Sequence, residues 1–136
     1  MISIRYYLVK PVLKHAGEPS KDGKFNVLSS TMKVLEPMDV CTHSYLTVGF
    51  FNCFSEATSL IKYLKTMFVR FLVLQTISSI HITKNNFIFV PLQDFTENSD
   101  IDWSKSIHEI DLQLYKKYNL DDTEIEFIEK NVKEMS

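Results

Sequence analysis

A chain of 136 residues, 45% hydrophobic and 24% charged, is long enough to bury one core and is expected to form a single domain. Its formal net charge is −2, its composition is that of an ordinary globular protein, and it has no internal repeat or low-complexity tract. Cys41 and Cys53 are too few for a disulfide framework or a zinc site, so two buried free thiols are expected. Met1 to Arg5 lacks a basic start followed by an apolar run, so no secretory signal is expected and the expected location is cytoplasmic.

Ser3 to Val9 is rich in β-formers and predicts a first strand. Lys10 to Lys24 carries two prolines, two glycines and Lys10, Lys14, Lys21 and Lys24, and predicts a long loop, of the kind that is usually functional or disordered. Phe25 to Leu28 and Met32 to Leu35 predict two short strands, and Thr42 to Phe51 a stronger one.

The dominant signal is Phe54 to Ser79. Ala57, Leu60, Ile61, Leu64, Phe68, Phe71 and Leu72 recur at spacings of three and four and share one face of a helix expected over 55–78, with Ser55 as its cap. Lys62 and Lys65 fall on the outer face. Lys62, Lys65 and Arg70 are too many charges for a membrane span. Thr83 to Asn86 predicts a turn and Phe87 to Val90 a strand ended by Pro91. Two helices follow. Ile107, Ile110, Leu114 and Tyr115 lie on the first, with Ser104 as the expected cap and Asn119 as its stop; Ile125, Ile128 and Val132 lie on the second, capped by Asp121 or Asp122.

The order of elements predicts an α+β fold: a small, mostly antiparallel sheet packed on one long helix, followed by two C-terminal helices. Residues 1–98 form the sheet-plus-helix module and 99–136 an acidic helical tail of the same compact unit. Charge divides along that boundary. Residues 1–92 hold ten Lys/Arg and five acids, a balance of +5; residues 93–136 hold five Lys and twelve acids, a balance of −7. A basic body with an acidic tail suits a polyanion on one side and a protein on the other, and equally suits two differently solvated faces.

Catalytic patterns are missing. The three glycines form no phosphate loop, and His15, His43, His81 and His108 show no metal-ligand spacing. Asp22-Gly23-Lys24 matches the end of some metal-dependent nuclease motifs, but only Glu18 precedes it as an acid. No catalytic residue, no metal ligand and no cofactor is therefore assigned to this chain, and its residues suit a binding module.

Cys41 to Leu46, Tyr63 to Thr66, Phe68 to Leu72 and Phe89 to Phe95 follow one pattern. Asp100 to Trp103, Glu109 to Asp111, Leu114 to Tyr118 and Glu124 to Glu129 continue it. From about residue 40 to the end, the chain resembles the C-terminal end of bacterial restriction-modification proteins that carry an adenine-specific DNA methyltransferase, often fused to a nuclease. The layout is also similar to half of a type I specificity subunit. The resemblance implies a target-recognition region, non-catalytic by itself, since the chain lacks the Asn-Pro-Pro-Tyr type of motif. S-adenosylmethionine and magnesium are expected only in the parent enzyme.

The implied partners are double-stranded DNA and the methyltransferase or nuclease portion of the parent, with no membrane and with a possible dimer through the C-terminal helices. The expected DNA-contacting residues are Lys10, Lys14, Lys21, Lys24, Lys62, Lys65, Lys84, Asn85 and Asn86; the two asparagines have the groups to read adenine edges. Arg70, among apolar neighbours, is expected to pair internally with an acid of the tail. The alternative function is a protein–protein module that uses the acidic C-terminal helices. Trp103, Tyr115 and Tyr118 either offer aromatic docking area or pack within the domain.

Overall fold

The computed structural model of the chain describes residues 7–10, 19–28, 32–35, 49–51, 53–77 and 83–135. Three strand fragments pair antiparallel in the order β2-β1-β3: β1 (Tyr7–Lys10), β2 (Lys33–Leu35) and β3 (Phe50–Phe51). The helices are α1 (Phe54–Lys65), α2 (Met67–Leu74), α3 (Ile107–Lys117) and α4 (Asp122–Asn131), with one 3-10 turn, Lys84–Phe87, between α2 and α3.

The described part of the chain is thus helical, and the expected sheet packed on one long helix is not its architecture. Strand fragments of four, three and two residues are too short to form a core layer. The core is built by the helices and the connectors that cross them: Ala57, Leu60, Tyr63 and Leu64 from α1, Val69 and Val73 from α2, Ile110, Leu114 and Tyr115 from α3, and Ile128 from α4. Residues 3–6 of the expected strand Ser3–Val9, residues 42–48 of the expected strand Thr42–Phe51, most of the loop 10–24, Lys14 and Cys41 lie outside the described residues.

The expected single helix over 55–78 is also corrected. It breaks at Thr66, whose backbone is extended at φ −64°, ψ 151°. Thr66 Oγ1 donates to the Tyr63 carbonyl at 2.5 Å and accepts the Val69 N–H at 3.3 Å, so one side chain ends α1 and caps α2. A break exposes helix-end groups on both sides, and the molecule answers each with a charge. Asp111 of α3 accepts the Met67 and Phe68 N–H groups, both at 2.9 Å, at the positive end of α2. Arg70 Nε donates to the Lys65 and Thr66 carbonyls at 3.0 and 3.2 Å, at the negative end of α1. The expected cap Ser55 lies inside α1; Cys53 holds the cap position, and its thiol takes no helix N–H but donates to the Glu56 carboxylate at 3.1 Å.

The C-terminal helices follow their capping chemistry. Ser106, two residues after the expected Ser104, forms a reciprocal capping box with Glu109. Asp121 does the same with Glu124. Asn119 adopts φ 54°, and the Leu120 and Asn119 N–H groups return to the Tyr115 and Lys116 carbonyls at 2.9 and 3.2 Å, which closes α3 in a left-handed cap.

The expected strand at Phe25–Leu28 is an isolated bridge point instead. Phe25 exchanges backbone bonds with the tail, its N–H to Asn131 O at 2.8 Å and its carbonyl from Lys133 N–H at 2.9 Å. Two residues later Val27 has φ 63°, a conformation that costs a β-branched residue about 1–3 kcal/mol, and it is buried in the core. The expected strand at Phe87–Val90 is the end of the 3-10 turn and the bends that follow it.

Candidate nucleic-acid interface

Asp22-Gly23-Lys24 forms a tight reversal. The Gly23 N–H reaches Ser20 O at 2.9 Å, Gly23 takes φ 80°, and the Ser20 N–H reaches Lys24 O at 2.7 Å. Asp22 Oδ1 accepts the Lys24 N–H at 3.0 Å, so turn geometry accounts for this tripeptide. Lys21 is exposed there and Lys24 is half-buried. Lys10 lies on β1, and its side chain is outside the described set.

Lys62 and Lys65 are not on an open outer face; both are half-buried. Lys62 Nζ donates to the Trp103 carbonyl at 2.9 Å and to the Lys105 carbonyl at 3.3 Å, which ties α1 to the connector before α3. Asn86 is likewise withdrawn. Its side chain accepts the Thr83 N–H at 2.8 Å and donates to Thr76 O and Oγ1 at 2.9 and 3.1 Å, so its amide faces inward and is not presented to a base edge. Of the expected DNA contacts whose side chains are described, Lys21, Lys84 and Asn85 are exposed, the last two side by side on the 3-10 turn.

Arg70 is fully buried, as expected, but its partners are carbonyls. Nη1 donates to Lys133 O at 2.6 Å and Asn26 O at 3.3 Å, in addition to the two bonds of Nε. Among the described residues no carboxylate lies within ion-pair distance of it. Burial pushes its guanidinium down to about 10, against the attraction of Asp111, so it stays charged at neutral pH. Burial pushes the Asp111 carboxyl up to about 6, against the Phe68 and Met67 amides and Arg70, which favour the anion.

Trp103, Tyr115 and Tyr118 pack inward. Trp103 Nε1 donates to Asp94 O at 2.8 Å, and its ring lies 5.0 Å from Phe95 and edge-on to Tyr63 at 5.6 Å. Tyr118 stacks on Phe68 at 5.2 Å. Gln93 joins the Tyr63 and Tyr118 hydroxyls at 3.3 and 2.7 Å, and Tyr63 donates to Pro91 O at 2.8 Å.

Two concave regions flank this scaffold. One, about 700 Å³, lies between the start of α1 and the 94–104 connector; Glu56, Glu97, Asp100 and Asp102 line it, and it repels a polyanion. The Thr96 hydroxyl and N–H hold Asp94 below its ordinary range, and Ser104 does the same for Asp102, so both are anions. The other, about 470 Å³, is an almost wholly apolar groove between α2 and α4, lined by Phe68, Phe71, Leu72, Leu120, Phe127 and Ile128.

The residues that sequence reasoning missed are Ile88, Phe89 and Leu92. They are 73%, 58% and 99% exposed, beside Lys84 and Asn85. Assignment of Phe87–Val90 to a strand hid Ile88 and Phe89, and Leu92 fell in the polar connector expected after Pro91. The available signal was Pro91 and the two asparagines, which favour a compact turn over a ladder.

No group of three or more His, Cys, Asp or Glu among the described residues is placed to hold a metal. No described helix is long and apolar enough to cross a membrane. Comparison with protein-family models, with curated proteins and with solved structures finds no match to this chain.

Proposed function

We propose that this chain is a DNA target-recognition region of a restriction-modification enzyme that carries an adenine-specific methyltransferase, and that it binds double-stranded DNA without catalysing a reaction itself. The observation that carries this reading is what the residues that prompted the resemblance do in the fold. Tyr63, Thr66 and Arg70, then Pro91, Gln93 and Phe95, then Trp103, Asp111, Tyr115 and Tyr118 are the side chains and carbonyls that interlock α1, α2 and α3. They form a scaffold, which is what a recognition region needs behind its variable contacting segments. Charge gives narrower support. Between Glu56 and Asp94 the chain has no acid, and of its four cations there Lys84 is exposed and Lys65 half-buried, while Lys62 and Arg70 are engaged internally.

The acidic helices α3 and α4 then serve as attachment to the rest of the enzyme, where S-adenosylmethionine and magnesium would act. The apolar groove beside α4 favours that role, and it equally favours the second reading, a protein-interaction module. Mobility shift of mixed-sequence duplex DNA at rising salt separates them. Binding that weakens steeply with salt is the expected result. No shift at low salt, with capture of the methyltransferase portion intact, would leave the interaction module as the function.

A further inference from the structure

Ile88, Phe89 and Leu92 are the most concentrated exposed apolar group among the described residues, and their backing is rigid. Phe87 and Val90, interleaved with them, pack against the core. The Asn86 amide fixes the turn to Thr76, and the Tyr63 hydroxyl holds Pro91 and Gln93 on either side of Leu92. Three apolar side chains held outward on a pinned turn can be buried without a further ordering cost, so they form a preorganised ridge.

Its electrostatic setting selects the occupant. Lys84 and Asn85 are exposed on the same turn. The nearest acid in sequence to Ile88 and Phe89 is Asp94, five residues past Phe89, an anion whose carboxylate is held by the Thr96 hydroxyl and N–H at 2.6 and 2.8 Å. Of the other exposed large apolar side chains, Phe54 opens α1 two residues before Glu56, and Leu112 and Phe127 sit on α3 and α4 among acids, so none has a cation beside it in an acid-free stretch. A pinned apolar ridge beside a cation, in an acid-free stretch, matches the wedges that enter base steps of duplex DNA while a basic residue holds the adjacent phosphate.

We propose that the Ile88–Leu92 turn is a DNA wedge: Ile88 and Phe89 enter a base step, and Lys84 contacts the flanking phosphate. This rests on the reading of the chain as a DNA-binding module, and it names the element that deforms the duplex.

The test uses the full chain and mixed-sequence duplexes carrying 2-aminopurine at single steps, with and without a mismatch beside the probe. Wild type is expected to raise the probe's fluorescence and to bind the mismatched duplex about tenfold more tightly, because unstacking there costs less. Ile88→Ser with Phe89→Ser is expected to abolish both effects and weaken binding to intact duplex about tenfold, with thermal stability unchanged. Lys84→Ala is expected to reduce the salt slope by about one. Salt-dependent binding with no fluorescence change and no effect of the double variant overturns the wedge and leaves the DNA-binding reading standing. No binding by wild type at low salt overturns both. Self-association removed by the double variant, with DNA affinity unchanged, assigns the ridge to a protein contact and overturns the wedge.

Discussion

The two C-terminal helices meet α2 in opposite ways. α3 is joined at the Thr66 break by buried polar bonds: the Asp111 carboxylate on two amides, with the Arg70 guanidinium close enough to stabilise the anion. α4 itself is joined by apolar side chains, an edge-on contact of Phe71 with Phe127 at 5.7 Å and burial of Ile128, and a groove remains open beside it; the polar bond of Arg70 Nη1 to Lys133 O at 2.6 Å falls two residues past its end. Polar bonds in a dry site are directional and costly to misplace, so the α3 seam fixes one register. Apolar contact tolerates displacement, so the α4 seam is the side on which another surface can pack.

The largest expected effect breaks the polar seam. Asp111→Ala leaves the Met67 and Phe68 amides without an acceptor and Arg70 without its nearest counter-charge. A loss of about 3–5 kcal/mol in urea unfolding is expected. A loss below about 1 kcal/mol would show that the break at Thr66 stands without Asp111.

The same carboxyl makes the seam pH-dependent. Its folded pKa of about 6 lies above the unfolded Asp value of about 3.9, so the folded state binds the proton more tightly. The contribution of this group is fully present below about pH 4 and is lost as pH rises through about 6, for a total of about 2–3 kcal/mol. Asp111→Asn, which cannot titrate, is expected to flatten that segment of the stability curve, at a cost of about 1–2 kcal/mol for offering one acceptor to two amides. An unchanged curve would assign the pH dependence to other groups.

The contrast between the seams also sets what was legible in the sequence. Local chemistry was readable: Asp121 as a cap and Asn119 as a left-handed stop depend on neighbours within a few residues. The capping box of Ser106 with Glu109 was readable too, although Ser104 competed with it two residues earlier. The Thr66 break was hidden, because it depends on a carboxylate more than forty residues later in the chain. The turn at Lys84 was hidden because β-propensity in Phe87–Val90 yielded to the Asn86–Thr76 bonds. The basic face was overestimated for the same reason: Lys62 and Asn86 are polar residues whose partners lie elsewhere in the fold.

Within the apolar seam the expected effects are smaller. Phe127 is 57% exposed, so Phe127→Ala is expected to cost about 1 kcal/mol, well below the range for a buried Phe. A larger loss in the isolated chain would mean that the groove beside α4 is closed in solution. Dimerisation that disappears in this variant would identify a second copy as what closes it.

The smallest expected effect lies at the joint between the seams. Asn119 holds φ 54°, which an alanine adopts at a cost of about 1 kcal/mol and a glycine does not resist. Asn119→Gly is therefore expected to be close to neutral, and Asn119→Ala about 1 kcal/mol less stable. The location of that loss is more informative than its size. The left-handed residue sets the direction in which the chain leaves α3, so strain there falls on whichever neighbour yields more easily. If the α3 seam is the rigid one, amide exchange in Asn119→Ala accelerates across Asp122–Asn131 and stays unchanged at Met67 and Phe68. Equal acceleration on both sides would show that the two helices move as one body and that the polar seam confers no separate rigidity.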